Sequence, residues 1–215
     1  MPQVQTQIDN AAIEHRHRLL EGMAHAVAAN GYADTTIADI VREASVSRRT
    51  FYEHFSTKAE CLIALYEAAS LAALNVLRDA IDPDHEWQTQ AEQAMAAYLQ
   101  CLSQNPLLMR TLFIEILGLG IDGLAARRRV NRQIAMFMLT VINADHDQRT
   151  RGYLLSEDMA MAVVGGINEL ILQAIEEDRV SNLSDLAKPA IRLLLAVASG
   201  ESAVPPRVTG TRLKK

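Results

Sequence analysis

Residues 36–55 contain two short amphipathic segments with a break between them. In the first, Thr36 and Asp39 have the spacing of a capping box, and apolar side chains follow at helical spacing: Ile37, Ile40, Val41 and Ala44. Ser45-Val46 interrupts that period, and Ser47 is placed to cap another short helix that ends near Phe55. Two short helices joined by so tight a turn predict a helix-turn-helix.

The whole chain is predicted to be helical. Gly, Pro and aromatic residues are few among its 215 residues, and 49% of them are hydrophobic, which favours helices around a real core. Apolar periodicity and turn residues predict nine helices, with Asn10 capping the first and Asn30-Gly31 ending it. Besides the two above, they cover residues 10–30, 57–82, 86–103, 106–118, 121–145, 156–178 and 183–200.

The second helix of the motif concentrates polar donors. Arg48 and Tyr52 lie one turn apart, with Arg49 beside them, near the helix start where such helices contact bases. Because an arginine can donate two hydrogen bonds to guanine O6 and N7, Arg48 and Arg49 are predicted to read bases. Other side chains are predicted to hold phosphates or fix the register: Thr36, Ser47, Thr50, Tyr52, His54 and Lys58. The basic stretch at residues 15–18 fits a phosphate contact and a solvated surface equally well.

Charge, cysteine content and missing motifs limit the other functions. The net charge of -5 counts against a polyanionic partner, but charges more than about 8 Å apart are screened, so a local basic patch can still bind one. Cys61 and Cys101 lie far apart in apolar helical patterns, as buried, reduced thiols of a cytoplasmic protein do. With no signal peptide and no run of about 18 apolar residues, we expect no membrane segment. Without a catalytic set, metal spacing or phosphate loop, we expect neither an enzyme nor a cofactor or metal.

Residues 31–58, GYADTTIADIVREASVSRRTFYEHFSTK, resemble the N-terminal DNA-binding segment of TetR-type transcriptional regulators. Residues at the family spacing are Gly31-Tyr32, Thr36, Ile40-Val41, Ala44, Val46-Ser47, Thr50-Phe51-Tyr52, His54-Phe55 and Lys58. Ser45 departs from the pattern, because that turn usually has glycine, and this predicts strain or a different backbone setting. Arg49 occupies a position that is often small, which predicts a shifted operator preference.

The resemblance implies three regions and a mechanism. Residues 1–58 would form the helix-turn-helix DNA-binding domain, residues 59–201 a helical ligand-binding and dimerisation domain, and residues 202–215 a disordered basic tail. The implied protein is a cytoplasmic homodimer, usually a repressor, which binds a palindromic double-stranded operator and is released by a small-molecule effector. The apolar stripes of the last two helices favour a four-helix dimer interface. Gly165-Gly166, within the first of these helices, would let helices approach closely there.

Candidate effector contacts lie in the C-terminal region. Glu115 stands within the apolar run LFIEIL, where a carboxylate needs either solvent or a partner. A pocket is predicted from Tyr98, Met109, Phe113, Glu115, Met136, Phe137 and Asn168, although each of them, taken singly, is more often a core residue than a ligand contact. The Met and Leu content favours an apolar effector. The alternative is a helix-turn-helix regulator without a small-molecule effector, controlled by a protein partner or acting as an activator.

Overall fold

The computed structural model describes residues 2–144 and 154–198. These residues form nine α-helices, two 3₁₀ helices and no strand, which confirms the all-helical prediction for the described chain. The α-helices are α1 (Pro2–Asp34), α2 (Ile37–Ala44), α3 (Arg48–His54), α4 (Lys58–Asp79), α5 (Trp87–Ser103), α6 (Pro106–Phe113), α7 (Ile121–Ala144), α8 (Glu157–Glu176) and α9 (Ala187–Ala198). The 3₁₀ helices, η1 (Glu115–Leu119) and η2 (Val180–Leu186), precede α7 and α9.

The predicted caps of the two short helices are confirmed. The Thr36 side chain accepts a hydrogen bond from Asp39 N, and Asp39 Oδ2 accepts one from Thr36 N at 3.0 Å. These bonds with Thr36, followed by the contact with Arg42, lower the pKa of Asp39 to about 2. Ser47 Oγ caps α3 by accepting from Thr50 N at 3.0 Å. Each cap spans three residues, so it forms without help from the rest of the fold.

Helix boundaries differ from the prediction at three places. Helix α1 begins at Pro2, which suits the first turn of a helix, so Asn10 lies inside α1 and does not cap it. The predicted stop at Gly31 is confirmed as an interruption of the helical backbone, because Gly31 has φ 76° and ψ 160°. Helix α1 nevertheless extends beyond it to Asp34. The helix predicted over 106–118 ends at Phe113 and continues as η1, since the glycines that follow are weak helix formers.

The last helix also begins later than predicted. The prediction placed one α-helix over 183–200, whereas η2 covers Val180–Leu186 and α9 starts at Ala187. Pro189 explains the shift, because a proline is tolerated in the first turn of an α-helix and breaks its interior. The predicted break at 145–152 and the predicted basic tail at 202–215 lie outside the described residues.

The N-terminal core joins α1, α2 and α3 to the start of α4. Its fully buried members are Leu19, Met23, Ile40, Phe51, Cys61 and Leu62. Gly22 lets α1 approach α2, because a Cβ at that position would lie 2.6 Å from Ile40 O and 2.8 Å from Ala44 N. Helix α1 is therefore the scaffold on which the helix-turn-helix rests. The predicted domain boundary after residue 58 stays a prediction. Beyond that residue, Cys61, Leu62 and Leu65 of α4 still pack with the N-terminal core.

The larger, C-terminal core is built around α5. Helices α4, α7, α8 and α9 contribute buried apolar side chains to the same cluster as α5. By length and composition alone, α4 and α8 are apolar enough to cross a bilayer, but both pack into the helical core. Helix α4 contributes to both cores and connects them. Its 22 residues span about 33 Å.

Candidate nucleic-acid interface and ligand cavity

Helix α3 buries one face and exposes the other. Phe51 is fully buried in the N-terminal core, and Phe55 packs beside it with ring centroids 5.8 Å apart. On the opposite face Arg48, Arg49 and Tyr52 are exposed, Tyr52 with 59% of its surface. This is the division that a helix needs to rest on a scaffold and enter a major groove.

The two predicted base readers have different surroundings. Arg49 Nε donates to Glu53 Oε1 at 3.0 Å, so reading a base with this side chain requires breaking or sharing that ion pair. Within residues 2–144 and 154–198, the Arg48 guanidinium has no hydrogen-bond or ion-pair partner. Arg48 therefore has all its donors available, and we expect it to contribute more to base discrimination than Arg49.

The smaller polar residues predicted to contact DNA already have local partners. Thr36 Oγ1 donates to Asp39 Oδ2 at 2.6 Å, and the Ser47 and Thr50 hydroxyl oxygens lie 2.9 Å apart. His54 is half-buried, and burial, followed by the charges of His15 and Arg16, lowers its pKa. At neutral pH the imidazole is therefore uncharged, and it would hold a phosphate by a hydrogen bond alone. The contacts of these four residues, Thr36, Ser47, Thr50 and His54, with DNA stay predictions.

The turn between α2 and α3 is held by a residue that sequence reasoning missed. Arg18 of α1 donates from Nη2 to Ala44 O at 2.7 Å and to Ser45 O at 2.6 Å, and from Nε to Ala44 O at 3.0 Å. These carbonyls end α2 and lack partners within that helix. The partners are 26 and 27 residues apart, so nothing in the local pattern of residues 15–18 identifies the contact. Arg18 therefore positions the recognition helix and does not point away from the protein as a solvated surface charge.

Ser45 adopts the backbone setting that glycine normally occupies in this turn. Its φ of 51° and ψ of 45° are left-handed, which costs an L-residue about 1–2 kcal/mol. Replacing Ser45 with glycine is expected to stabilise the N-terminal domain by about 1 kcal/mol, measured by denaturant unfolding. Ser45→Ala is the matched control, because it removes the hydroxyl and keeps the strain. An equal gain in both variants would contradict the strain argument.

Lys58 lies against the end of α1. Its Nζ donates to the carbonyl oxygens of Tyr32 at 2.9 Å, Ala33 at 3.1 Å and Thr35 at 2.8 Å. The ammonium also lies 4.5 Å from the centroid of the Tyr32 ring. Its three hydrogens are thus occupied by the segment after Gly31. The predicted phosphate contact stays a prediction, and these three carbonyl oxygens compete with it.

The Lys58→Ala variant distinguishes the structural role of Lys58 from its predicted contact with a DNA phosphate. Loss of the three hydrogen bonds is expected to destabilise the N-terminal domain by about 2 kcal/mol in thermal unfolding, with Lys188→Ala of α9 as control. If Lys58 also neutralises a phosphate, the slope of log K against log salt concentration would flatten by about 0.9. An unchanged slope with reduced stability would leave Lys58 a structural role only.

The C-terminal domain contains a largely apolar cavity, part of it open to solvent. Helices α4, α5, α7, α8 and α9 all contribute to its wall. Three of the predicted pocket residues, Tyr98, Phe137 and Asn168, line it. Phe113 lines a smaller neighbouring cavity that shares Tyr98 and Asn168, and Met136 lines an outer cleft.

Few polar groups face this cavity. Asn168 Nδ2 donates to Asn131 Oδ1 at 3.0 Å, and both amides are buried. Burial raises the pKa of the Tyr98 phenol, so its hydroxyl keeps its proton. Asn131 was missed by sequence reasoning, although its place among the inward positions of α7 is the same signal that marked Asn168. The cavity therefore favours an apolar ligand with few hydrogen-bonding groups.

Two predicted pocket residues lie elsewhere. Met109 is buried in the main core and lines none of the three cavities described. Glu115 was predicted to face the pocket, but η1 turns it towards the N-terminal domain, where its Oε2 accepts a hydrogen bond from Tyr32 N at 3.2 Å. The prediction fails because α6 ends at Phe113, so the helical period that pointed Glu115 inward does not continue to it. Glu115 instead joins the two domains.

The thiols behave as packing groups. Cys61 is buried, burial raises its pKa to about 12, and its Sγ lies 3.8 Å from Leu19 O. Cys101 is half-buried and also free. Among the described residues no group of three His, Cys, Asp or Glu side chains is placed to hold a metal ion.

A helix-turn-helix unit and a cavity-bearing helical domain share the long helix α4. This arrangement defines a class: helix-turn-helix proteins that carry a separate apolar cavity in the same chain. Comparison with known proteins narrows this class, because residues 19–65 match the family model described as bacterial regulatory proteins, tetR family. The resemblance to TetR-type regulators is confirmed by this match to the N-terminal domain.

Curated relatives match the same end of the chain. The HTH-type transcriptional regulator YxbF of Bacillus subtilis is 31% identical over 102 residues, which cover 47% of this chain and 27% of that protein. The HTH-type transcriptional regulator TtgR of Pseudomonas putida is 36% identical over 77 residues, 34% of this chain and 37% of that protein. The matches thus span about a quarter of the first relative and little more than a third of the second. Both relatives are named as regulators, in agreement with the expectation that the chain is not an enzyme.

Solved structures extend the likeness to the whole fold. The transcriptional regulator FadR of Bacillus subtilis, solved in complex with stearoyl-CoA, superimposes with a TM-score of 0.72 over 84% of this chain and 97% of that one. The two sequences are 15% identical, so the comparison establishes the fold alone. The fold shared with this regulator therefore includes the C-terminal helices as well as the helix-turn-helix.

Proposed function

We propose that this protein is a sequence-specific DNA-binding transcriptional regulator. The observation that carries the proposal is α3, whose exposed Arg48, Arg49 and Tyr52 stand over a fully buried Phe51 within a helix-turn-helix of the tetR family. Such a helix presents donors to base edges while its apolar face fixes its angle to the scaffold. In this proposal the protein acts in the cytoplasm, where the chromosome of a bacterium is accessible.

The regulator is proposed to be a homodimer formed through α8 and α9. A palindromic operator with half-sites about 34 Å apart requires two symmetric reading heads. Half-exposed apolar side chains along these helices support this interface: Leu170, Leu193, Leu195 and Val197. Gly165 has no atom within 4 Å of a Cβ built on it, so a second chain has room to approach there. Gly166, in contrast, packs against Leu193 of the same chain.

The dimer is proposed to repress transcription while it is bound to DNA and to be released from DNA by a small, largely apolar effector. The apolar cavity supports it, and the FadR neighbour was solved with stearoyl-CoA. Leu77 and Ile81, in and just beyond the last turn of α4, line the cavity, while the first turns of α4 pack with the DNA-reading domain. A ligand that prefers one position of α4 would shift the population of head spacings. The Tyr32–Glu115 hydrogen bond gives a second path between the domains.

The proposal is tested with the full chain in three measurements. Selection from random duplexes at low salt is expected to give a palindrome, and light scattering is expected to give a dimer. A screen of apolar metabolites is then expected to yield a thermal shift that tracks DNA release. A monomer that ignores every duplex would end the proposal. Specific DNA binding with no responsive ligand would favour the alternative regulator, controlled by a protein partner.

A further inference from the structure

The outer cleft beside the cavity is basic, although the chain as a whole is acidic. It is lined by Arg78 of α4 and by one face of α7, which contributes Arg129, Arg132, Gln133, Met136, Phe137 and Thr140. No aspartate or glutamate is among these lining residues. Three arginines thus line one cleft of a chain whose net charge is -5.

The arginines differ in how far their charges are already compensated. Arg129 Nη2 lies 2.6 Å from Glu67 Oε1 in an exposed ion pair. Arg78 Nη1 donates to Asn75 Oδ1 at 3.4 Å, and neither Arg78 nor Arg132 has an ion-pair partner within the part of the chain that the structure describes. Among the described residues the charges of Arg78 and Arg132 are therefore not compensated by a carboxylate, whereas Arg129 is held in place by Glu67.

Phe137 separates this cleft from the cavity and lines both. Along α7 the cleft residues follow one helical face, while Ile134, Met138, Val141 and Ile142 follow the adjacent face into the cavity. On α4 the same division falls between Leu77, in the cavity wall, and Arg78, in the cleft. A ligand passing Phe137 would therefore be apolar on one side and meet guanidinium groups on the other.

The cavity itself cannot hold a charge. No Lys, Arg or His is among its lining residues, and an ionised group buried without a partner is strongly disfavoured. We infer that the effector is an anionic amphiphile, with an apolar chain in the cavity and a phosphate or carboxylate held in the cleft by Arg78, Arg129 and Arg132. This inference rests on the proposed effector cavity and adds the chemistry of its ligand. Charge-assisted bonds to an anion are the role to which guanidinium groups are best suited.

The test compares ligands that share one chain and differ in the head group. Dodecyl phosphate, dodecanoate, dodecanol and inorganic phosphate are titrated calorimetrically into the full-length protein, below the concentration at which the amphiphiles form micelles. Dodecyl phosphate or dodecanoate is expected to bind about 100-fold more tightly than dodecanol, and inorganic phosphate much more weakly than either. The ratio between the two anions distinguishes a phosphorylated ligand from a free fatty acid.

Arginine variants locate the head group. Arg132→Ala and Arg78→Ala are each expected to lower the affinity for the anionic ligand about tenfold and leave that for dodecanol unchanged. Arg128→Ala is the matched control, since it removes the same charge from α7 outside the cleft. Equal binding of dodecanol and the anions, or an anion preference that survives both variants, would overturn the inference and leave the cavity intact. Binding of no ligand at all would overturn the proposed effector site as well, while DNA binding is measured separately.

Discussion

Replacing Gly22 with alanine is expected to unfold the N-terminal domain at moderate temperature and to abolish specific DNA binding. The new methyl carbon would lie 2.6 Å from Ile40 O, 2.8 Å from Ala44 N and 2.9 Å from Ala44 Cβ. Two of these atoms belong to the backbone of α2, so no side-chain rotation relieves the overlap. Because α2 would have to move away from α1, we expect a loss of about 3 kcal/mol in the free energy of unfolding.

Circular dichroism during heating measures the stability of the Gly22 variant, and fluorescence anisotropy with a labelled duplex measures its DNA affinity. Gly118→Ala is the control, because a Cβ built on Gly118 has no neighbour within 4 Å. That variant is expected to stay within about 0.5 kcal/mol of the parent. A Gly22 variant with unchanged melting temperature and affinity would show that α1 and α2 have more freedom than their contact implies.

Arg48→Ala is expected to relax base preference at one position of each half-site. The Arg48 guanidinium, which has no partner among the described residues, offers two donors to a guanine, a pairing worth about 1–3 kcal/mol of discrimination. Affinity for the selected sequence should therefore fall about 5- to 150-fold, while affinity for unrelated duplexes falls much less. We expect a smaller effect for Arg49→Ala, because Arg49 is already paired with Glu53.

Selection from random duplexes, repeated with each variant, measures the base preference directly. Arg42→Ala serves as the control for loss of charge, since Arg42 lies on α2 and pairs with Asp39 and Glu43. Its base preference should match that of the parent. If Arg48→Ala and Arg49→Ala both retain the parental preference, neither arginine reads bases, and Tyr52 becomes the leading candidate.

Local features of the DNA-reading unit were predictable residue by residue. The caps at Thr36 and Ser47, the interruption at Gly31 and the inward faces of Phe51 and Phe55 all follow from side chains within four positions of one another. The helix boundaries that were predicted wrongly do not follow from such short-range patterns. Asn10 has the chemistry of a cap, but α1 continues past it to Pro2, because a cap residue does not by itself end a helix.

The lining of the apolar cavity was predictable only in part, and individual residues show why. Tyr98, Phe137 and Asn168 lie on inward faces of helices that the apolar period predicts, and they line the cavity. Glu115 does not line the cavity, because the direction of its side chain depends on where α6 ends and how η1 turns towards Tyr32. The arginines of the cleft gave no sequence signal, because Arg78 lies on a different helix from Arg129 and Arg132, about 50 residues away.

The sequence by itself determined the helical class, the helix-turn-helix and the side chains on its exposed face, since hydrogen bonds and periodicity within a helix act over three or four residues. Tertiary structure decided the tasks of the charged residues that look alike in sequence. Arg18 holds the turn, Lys58 closes the end of α1, Arg49 pairs with Glu53 and Arg48 stays available. The physical reason is distance: a cation binds whichever acceptor the packing of helices brings within about 3 Å, and that acceptor can lie anywhere in the chain.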